Sequence, residues 1–245
     1  MMDASFIAAI QKSTATGVVT LDGKEYATRE VHNPPLPEQP TCDHIEVSSL
    51  SALTAYVRAQ LEPGGELHDQ HCIVHVENPR AVRVVSGLKG ARRLREHFIA
   101  AAVIGEPFPF GRFIPHADFM IALQSRFIDY GDRAAVMQKV GTIKDETVKT
   151  SSDDGISQRV TASAGMVLVQ EIALPLIVTL RPFRTFLEVD QPPSSFVLRV
   201  QQNAKALPSL ALFEADGGRW QQEAVDNICE YLTDALKDTG VLLIA

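Results

Sequence analysis

From about residue 143 to residue 214 the sequence is dominated by threonine, valine and other β-branched residues that alternate with polar ones. The run is broken at "SSDDG", "SAG", "RPF", "DQPPSS" and "KALPS". β-Branched side chains suit a pleated surface, and Gly, Pro, Asp and Ser clusters suit turns, so the stretch reads as successive strands. The sequence on either side reads differently. "HADFMIALQSRFI" and "DRAAVMQKV" read as two helices joined near Gly131. After "ADGGRW", Val225, Ile228, Cys229, Leu232 and Leu236 recur at helical spacing. Segregated patterns of this kind point to an α+β fold, a mixed, mostly antiparallel sheet with helical segments in the middle and at the C-terminus.

Toward the N-terminus, "ASFIAAIQK" reads as a short helix and "GVVTLDGKEYATREV" as a hairpin turning at Asp22-Gly23. "DHIEV" reads as a strand. Ser48 or Ser49 then caps a helix with Leu50, Leu53, Val57 and Leu61 on one face, ended by Pro63-Gly64-Gly65. "HCIVHV" and "AVRVV" form a second hairpin around Glu77-Asn78-Pro79-Arg80, "REHFIAAAVI" fits a strand or a helix, and "EPFPFGRF" is a loop. "VLLIA" is expected to close the fold as a buried strand. Residues 32–40 hold four prolines and form an extended arm, because proline lacks the amide that regular structure needs. The arm is the best candidate boundary. The hairpin before it is too small to stand alone, so residues 1–245 are expected to form a single domain.

At 245 residues the chain can bury a substantial core, and a net charge of −7 argues against a whole-protein nucleic-acid or membrane surface. The start has an acid where a signal peptide needs positive charge, and "IALPLIVTL" is half a membrane span with a proline inside. Three scattered cysteines, Cys42, Cys72 and Cys229, do not make a disulfide framework, so reduced thiols in the cytoplasm are the simplest reading.

"HDQHCIVH" places His68, His71, Cys72 and His75 close in sequence, and imidazole with thiolate suits zinc. In a strand, however, His71 and His75 stand about 13 Å apart at ~3.3 Å per residue, and Cys72 faces the other way with Val74 and Val76. A half-exposed strand fits better than a metal centre. Asp153 and Asp154 read as an Asp-Gly turn before an acid pair. No nucleophile elbow, P-loop or dinucleotide fingerprint is present, so no catalytic residue and no cofactor is expected from motifs.

A basic stretch contains Arg80, Arg83, Lys89, Arg92, Arg93 and Arg95, and guanidinium forks suit phosphate oxygens. The competing reading is a solvated face balanced by Glu223, Asp226, Glu230 and Asp234 on the last helix. In "RPFRTFLEVDQPPSSFVLRV" strand alternation puts Arg184, Phe186, Glu188 and Asp190 on one side, with Arg184 and Glu188 forced to find partners on neighbouring strands. Prolines bracket this segment, so it reads as a mixed-charge edge strand. Arg92, Arg93, Arg95, Arg181 and Arg184 are the candidate residues for an anionic small molecule, with Arg92 and Arg93 foremost.

"PFPFGRF", "ADFMIALQSRF", "DDGISQRV", "PFRTFLEVDQP" and "FVLRV" together resemble the YfdQ-like family of phage and prophage proteins, from about residue 40 onward. The resemblance implies a tailed-phage or prophage origin and expression in the cytoplasm of the bacterial host. It carries no catalytic residues with it. The expected function is a non-enzymatic protein that forms homo-oligomers and acts by binding. The alternatives are a sponge for a phosphate-bearing nucleotide signal, and a metal-dependent enzyme built on residues 68–75.

Overall fold

The computed structural model describes residues 18–21, 24–27, 44–59, 72–88, 93–143, 147–153, 157–164, 167–203 and 206–245. The chain divides into two compact units, Met1–Thr41 and Cys42–Ala245, directly after the proline-rich stretch. In the first unit, β1 (Val18–Leu21) pairs antiparallel with β2 (Lys24–Ala27). Leu21 lies opposite Lys24, so the connection is the two residues Asp22-Gly23, as the hairpin signal predicts. The expected first helix and the arm at 32–40 lie outside the described residues.

The second unit is α+β. Its larger sheet has the order β14-β4-β5-β6-β3, formed by β3 (Ile45–Val47), β4 (Ile73–Asn78), β5 (Ala81–Val85), β6 (His97–Ala102) and β14 (Leu242–Ile244). The β4–β5–β6 centre is antiparallel, whereas both outer strands pair parallel. "REHFIAAAVI", which fits either state by its pattern, supplies a strand. Helices α1 (Leu50–Ala59) and α4 (Arg219–Ala235) contribute Leu50, Leu53, Val57, Ile228 and Leu232 to one core with Val74, Val76, Val82 and Val84 of the strands. Cys72 is buried in that core, on the side its alternation assigns.

The smaller sheet, β11-β12-β13-β7, consists of β11 (Ile177–Leu180), β12 (Ser194–Asn203), β13 (Ala206–Glu214) and β7 (Ile114–Pro115). Phe196, Leu198 and Val200 of β12 point inward, while Val197 and Arg199 alternate outward. They meet α2 (His116–Ser125) and α3 (Arg133–Gly141) through Phe119, Leu123, Val136 and Val140. Each fully buried side chain of this size stabilises by about 1.5–3 kcal/mol. Arg133 binds α2 to α3, its Nε and Nη2 each donating at 3.0 Å to the carbonyls of Leu123 and Gln124 in the last turn of α2. A three-stranded antiparallel sheet, β8 (Thr147–Asp153), β9 (Ser157–Ala164) and β10 (Val167–Pro175), completes the strand-rich half. β8 pairs antiparallel with β9, and the expected turn at residues 154–156 and the side chain of Asp153 lie outside the described residues.

The free edge of β11 is closed by the turn before α3. The Asp132 amide donates to Thr179 O at 3.0 Å, and the Thr179 amide donates to Asp132 Oδ2 at 2.8 Å, which imitates a strand pair. Gly131 allows this close approach: its φ is +57°, and a Cβ there would stand 2.5 Å from Thr179 O. Gly131→Ala is therefore expected to cost at least about 2 kcal/mol in urea unfolding, since left-handed backbone alone costs about 1–3 kcal/mol in a non-glycine residue. An unchanged midpoint would show that the turn can withdraw from β11 freely.

Two expectations fail here. "VLLIA" does form a strand, but β14 is an edge strand with Leu242 and Ile244 exposed, because its apolar run covers one layer only. Residues 181–193 are not a strand. Past an isolated bridge from Pro182 to Phe127 the chain runs irregularly and buries Arg184, Thr185 and Phe186 in succession.

Candidate functional site

Gln191 explains the shape of that segment. Its Oε1 accepts from the amides of Arg184 and Thr185 at 2.9 and 3.1 Å, and its Nε2 donates to the carbonyls of Phe186 and Val189 at 2.8 and 3.2 Å. One buried side-chain amide thus satisfies four backbone groups that a sheet would otherwise pair. The resulting loop turns Phe186 and Val189 into the larger-sheet core and leaves Phe183, Leu187 and Glu188 at the surface or half-exposed.

Arg184 anchors the loop from the other side. It is 2% exposed, and its Nη1 donates to Glu214 Oε1 at 2.8 Å while Nη2 donates to Ser194 Oγ. The guanidinium lies 4.0 Å above the Trp220 ring, with the stacked rings of Phe110 and Phe196 further off. Burial outweighs the nearby Glu214 and Asp216 charges and lowers its pKa to about 10, so it stays charged at neutral pH. Burial also opposes the charge of Asp216. The hydrogen bonds from Ser194 and the Gly218 amide, together with Arg184, outweigh that and hold its carboxyl below the usual range.

Beside this anchor lies a cleft of about 440 Å³, walled by the 183–188 loop, the 103–107 loop and the start of α1. Ser49 caps α1, its Oγ accepting from the Ala52 amide at 3.2 Å. Glu188 reaches the same helix end, where Oε1 accepts from the amide and the hydroxyl of Ser51 at 3.2 and 3.3 Å. A carboxylate there also favours the helix dipole. Arg80 fixes the 103–107 loop by donating from Nη2 to the carbonyls of Val103 and Gly105, and Arg126 donates to Pro107 O. On the walls stand Ile104, 81% exposed, and Leu187, 78% exposed, with Phe183 beside them. The cleft offers apolar contact and two fixed guanidinium groups, an arrangement suited to holding an amphipathic ligand.

The five arginines singled out by sequence fall in different settings. Arg92 lies outside the described residues. Arg93 is exposed with φ +53°, and Arg95 is exposed but donates to Ser86 O at 2.8 Å. Arg181 stacks over the Tyr130 ring at 4.6 Å, and Arg184 is the buried anchor. None of these described arginines lines the cleft, whereas Arg80 of the same basic stretch does. The partners of the charged pair are also divided: Arg184 finds Glu214 on β13, as expected, but Glu188 finds a helix end and not a strand. His68 and His71 lie outside the described residues. Among the described residues no group of three His, Cys, Asp or Glu side chains converges on a common point. Cys229 is half-buried on α4, and burial followed by the Asp226 charge pushes its thiol pKa up. No helix among the described residues is long and apolar enough to cross a membrane.

Comparison with known proteins finds no matching family model, no matching curated protein and no matching solved structure.

Proposed function

We propose that this chain is a non-enzymatic protein that self-associates and acts by binding, with the cleft at residues 103–107 and 183–188 as its ligand site. The observation that carries the reading is the pairing of Ile104 and Leu187, the two most exposed large apolar side chains among the described residues, on one cleft. Single exposed apolar residues are ordinary, but a group of them rimmed by charges marks a binding surface. The phage or prophage origin and a place in the host cytoplasm rest on the resemblance to the YfdQ-like family.

A naphthalene sulfonate dye joins an apolar body to one anion and so tests the site directly. Wild-type protein is expected to bind one dye per chain with a rise in fluorescence. The exposed pair Ile104→Glu/Leu187→Glu should weaken that binding at least tenfold without moving the unfolding midpoint. Equal binding by both proteins would remove the cleft from the proposal.

The sponge reading draws support from Arg80 and Arg126, which place two permanent positive charges at the same walls. Mass spectrometry of protein purified from infected cells decides between the two. A copurifying nucleotide favours the sponge, and its absence from a protein that still binds the dye favours the apolar reading.

A further inference from the structure

The self-association proposed above has a surface of its own, and we infer that two copies of this chain join along β14, pairing the strand with its counterpart antiparallel about a twofold axis. The inference rests on the self-association reading and names the contact. Three observations carry it.

The first is the direction of the backbone. The Leu242 amide donates inward to Cys72 O at 2.9 Å, in parallel register with β4. Successive residues of a strand turn their amides to opposite sides, so the N–H and C=O of Leu243 are directed away from β4. A second extended backbone offers a matching donor and acceptor at that spacing.

The second is the side chains. Leu242 is 54% and Ile244 42% exposed, on the face opposite Leu243, which packs against the core. An antiparallel pair centred on Leu243 sets Leu242 of one copy against Ile244 of the other, twice. The edge is thus complementary to itself, the requirement for a twofold contact.

The third is the treatment of edges elsewhere in the fold. The edge of β11 is closed by Asp132 and the turn around it. β14 is short, three residues, but "LLI" has no charge, no proline and no bulge, and no described strand pairs with its outer side. Three aliphatic residues on such an edge suit a short pairing strand.

Helix α4 packs over β4 and β14, and it exposes Glu223, Asp226, Glu230 and Asp234. Joining two copies brings these acids toward their equivalents. Salt screens such repulsion, so association should tighten as salt rises, opposite to a contact made by ion pairs. A contact this small belongs to the weak, transient class, so association is expected to depend on protein concentration.

Light scattering of the full chain at roughly 10–100 micromolar, with hydrogen exchange of the Leu243 amide, tests the inference. The expected result is at least twice the chain mass, rising with salt, and a Leu243 amide whose exchange slows as protein concentration rises. Leu242→Lys/Ile244→Lys should lower the mass to that of one chain while circular dichroism is unchanged. If wild type and variant are equally oligomeric and the Leu243 amide exchanges fast, self-association stands and the β14 contact is wrong. If wild type is a single chain throughout the range, both fall. Should the double variant misfold, the concentration dependence of the Leu243 amide in wild type decides alone.

Discussion

Replacing Arg184 with alanine should lower the free energy of unfolding by about 3–5 kcal/mol, the range for breaking a buried ion pair from one side. The guanidinium holds Glu214 and Ser194 and covers the Trp220 ring, so its loss uncouples the 181–193 segment from β12, β13 and α4 at once. Glu214→Gln should cost less. Its side chain is a third exposed, and water can replace part of what Arg184 gave it. Urea unfolding of the two single variants and the double variant measures the coupling. A loss below about 1 kcal/mol for Arg184→Ala would mean that the aromatic cluster holds the segment without the charge.

Replacing Gln191 with leucine should cost at least about 3 kcal/mol, since each backbone group left unpaired in the interior costs about 1–3 kcal/mol. Four such groups depend on this one amide. Leucine is of similar volume, so the loss measures hydrogen bonding and not packing. The variant should also lose dye binding at the cleft, because the loop it releases carries Leu187 and Glu188. A variant of normal stability would show that the loop keeps its shape through Phe186 and Val189 alone.

That pair of residues also marks the limit of what alternation reveals. Arg184 to Asp190 alternate as a strand would, and the flanking prolines fit an edge, yet the segment is a loop. A strand depends on neighbouring backbone to pair with, and here a glutamine seven residues ahead supplies the pairing instead. Where the signals are local, the reading holds. Asp22-Gly23 makes its hairpin, Ser49 caps α1, and the stripe of Ile228, Leu232 and Leu236 faces the core. The cleft is not legible in the sequence, because its walls come from residues 48–49, 80, 103–107, 125–126, 183 and 185–188. No spacing rule links such distant positions. Glu188, which has no partner within its segment, and Arg80 of the basic stretch are the residues singled out by their chemistry that do line the site.

The two cores differ in how they are gathered along the chain. The core of the smaller sheet lies wholly between Phe108 and Leu212, a continuous stretch. The core of the larger sheet is collected from Val47–Val103, from Phe186 and Val189, and from Val225–Leu243. On a ribosome, where residues emerge in order, the smaller-sheet half has all its partners while the other still waits for α4 and β14. Until those last elements are made, Val74, Val76, Val82 and Val84 have, among the described residues, α1 and the 186–189 loop to cover them. The nascent chain therefore passes through a stage with one finished half and one open sheet, whose bare β4 edge is the place β14 will later occupy.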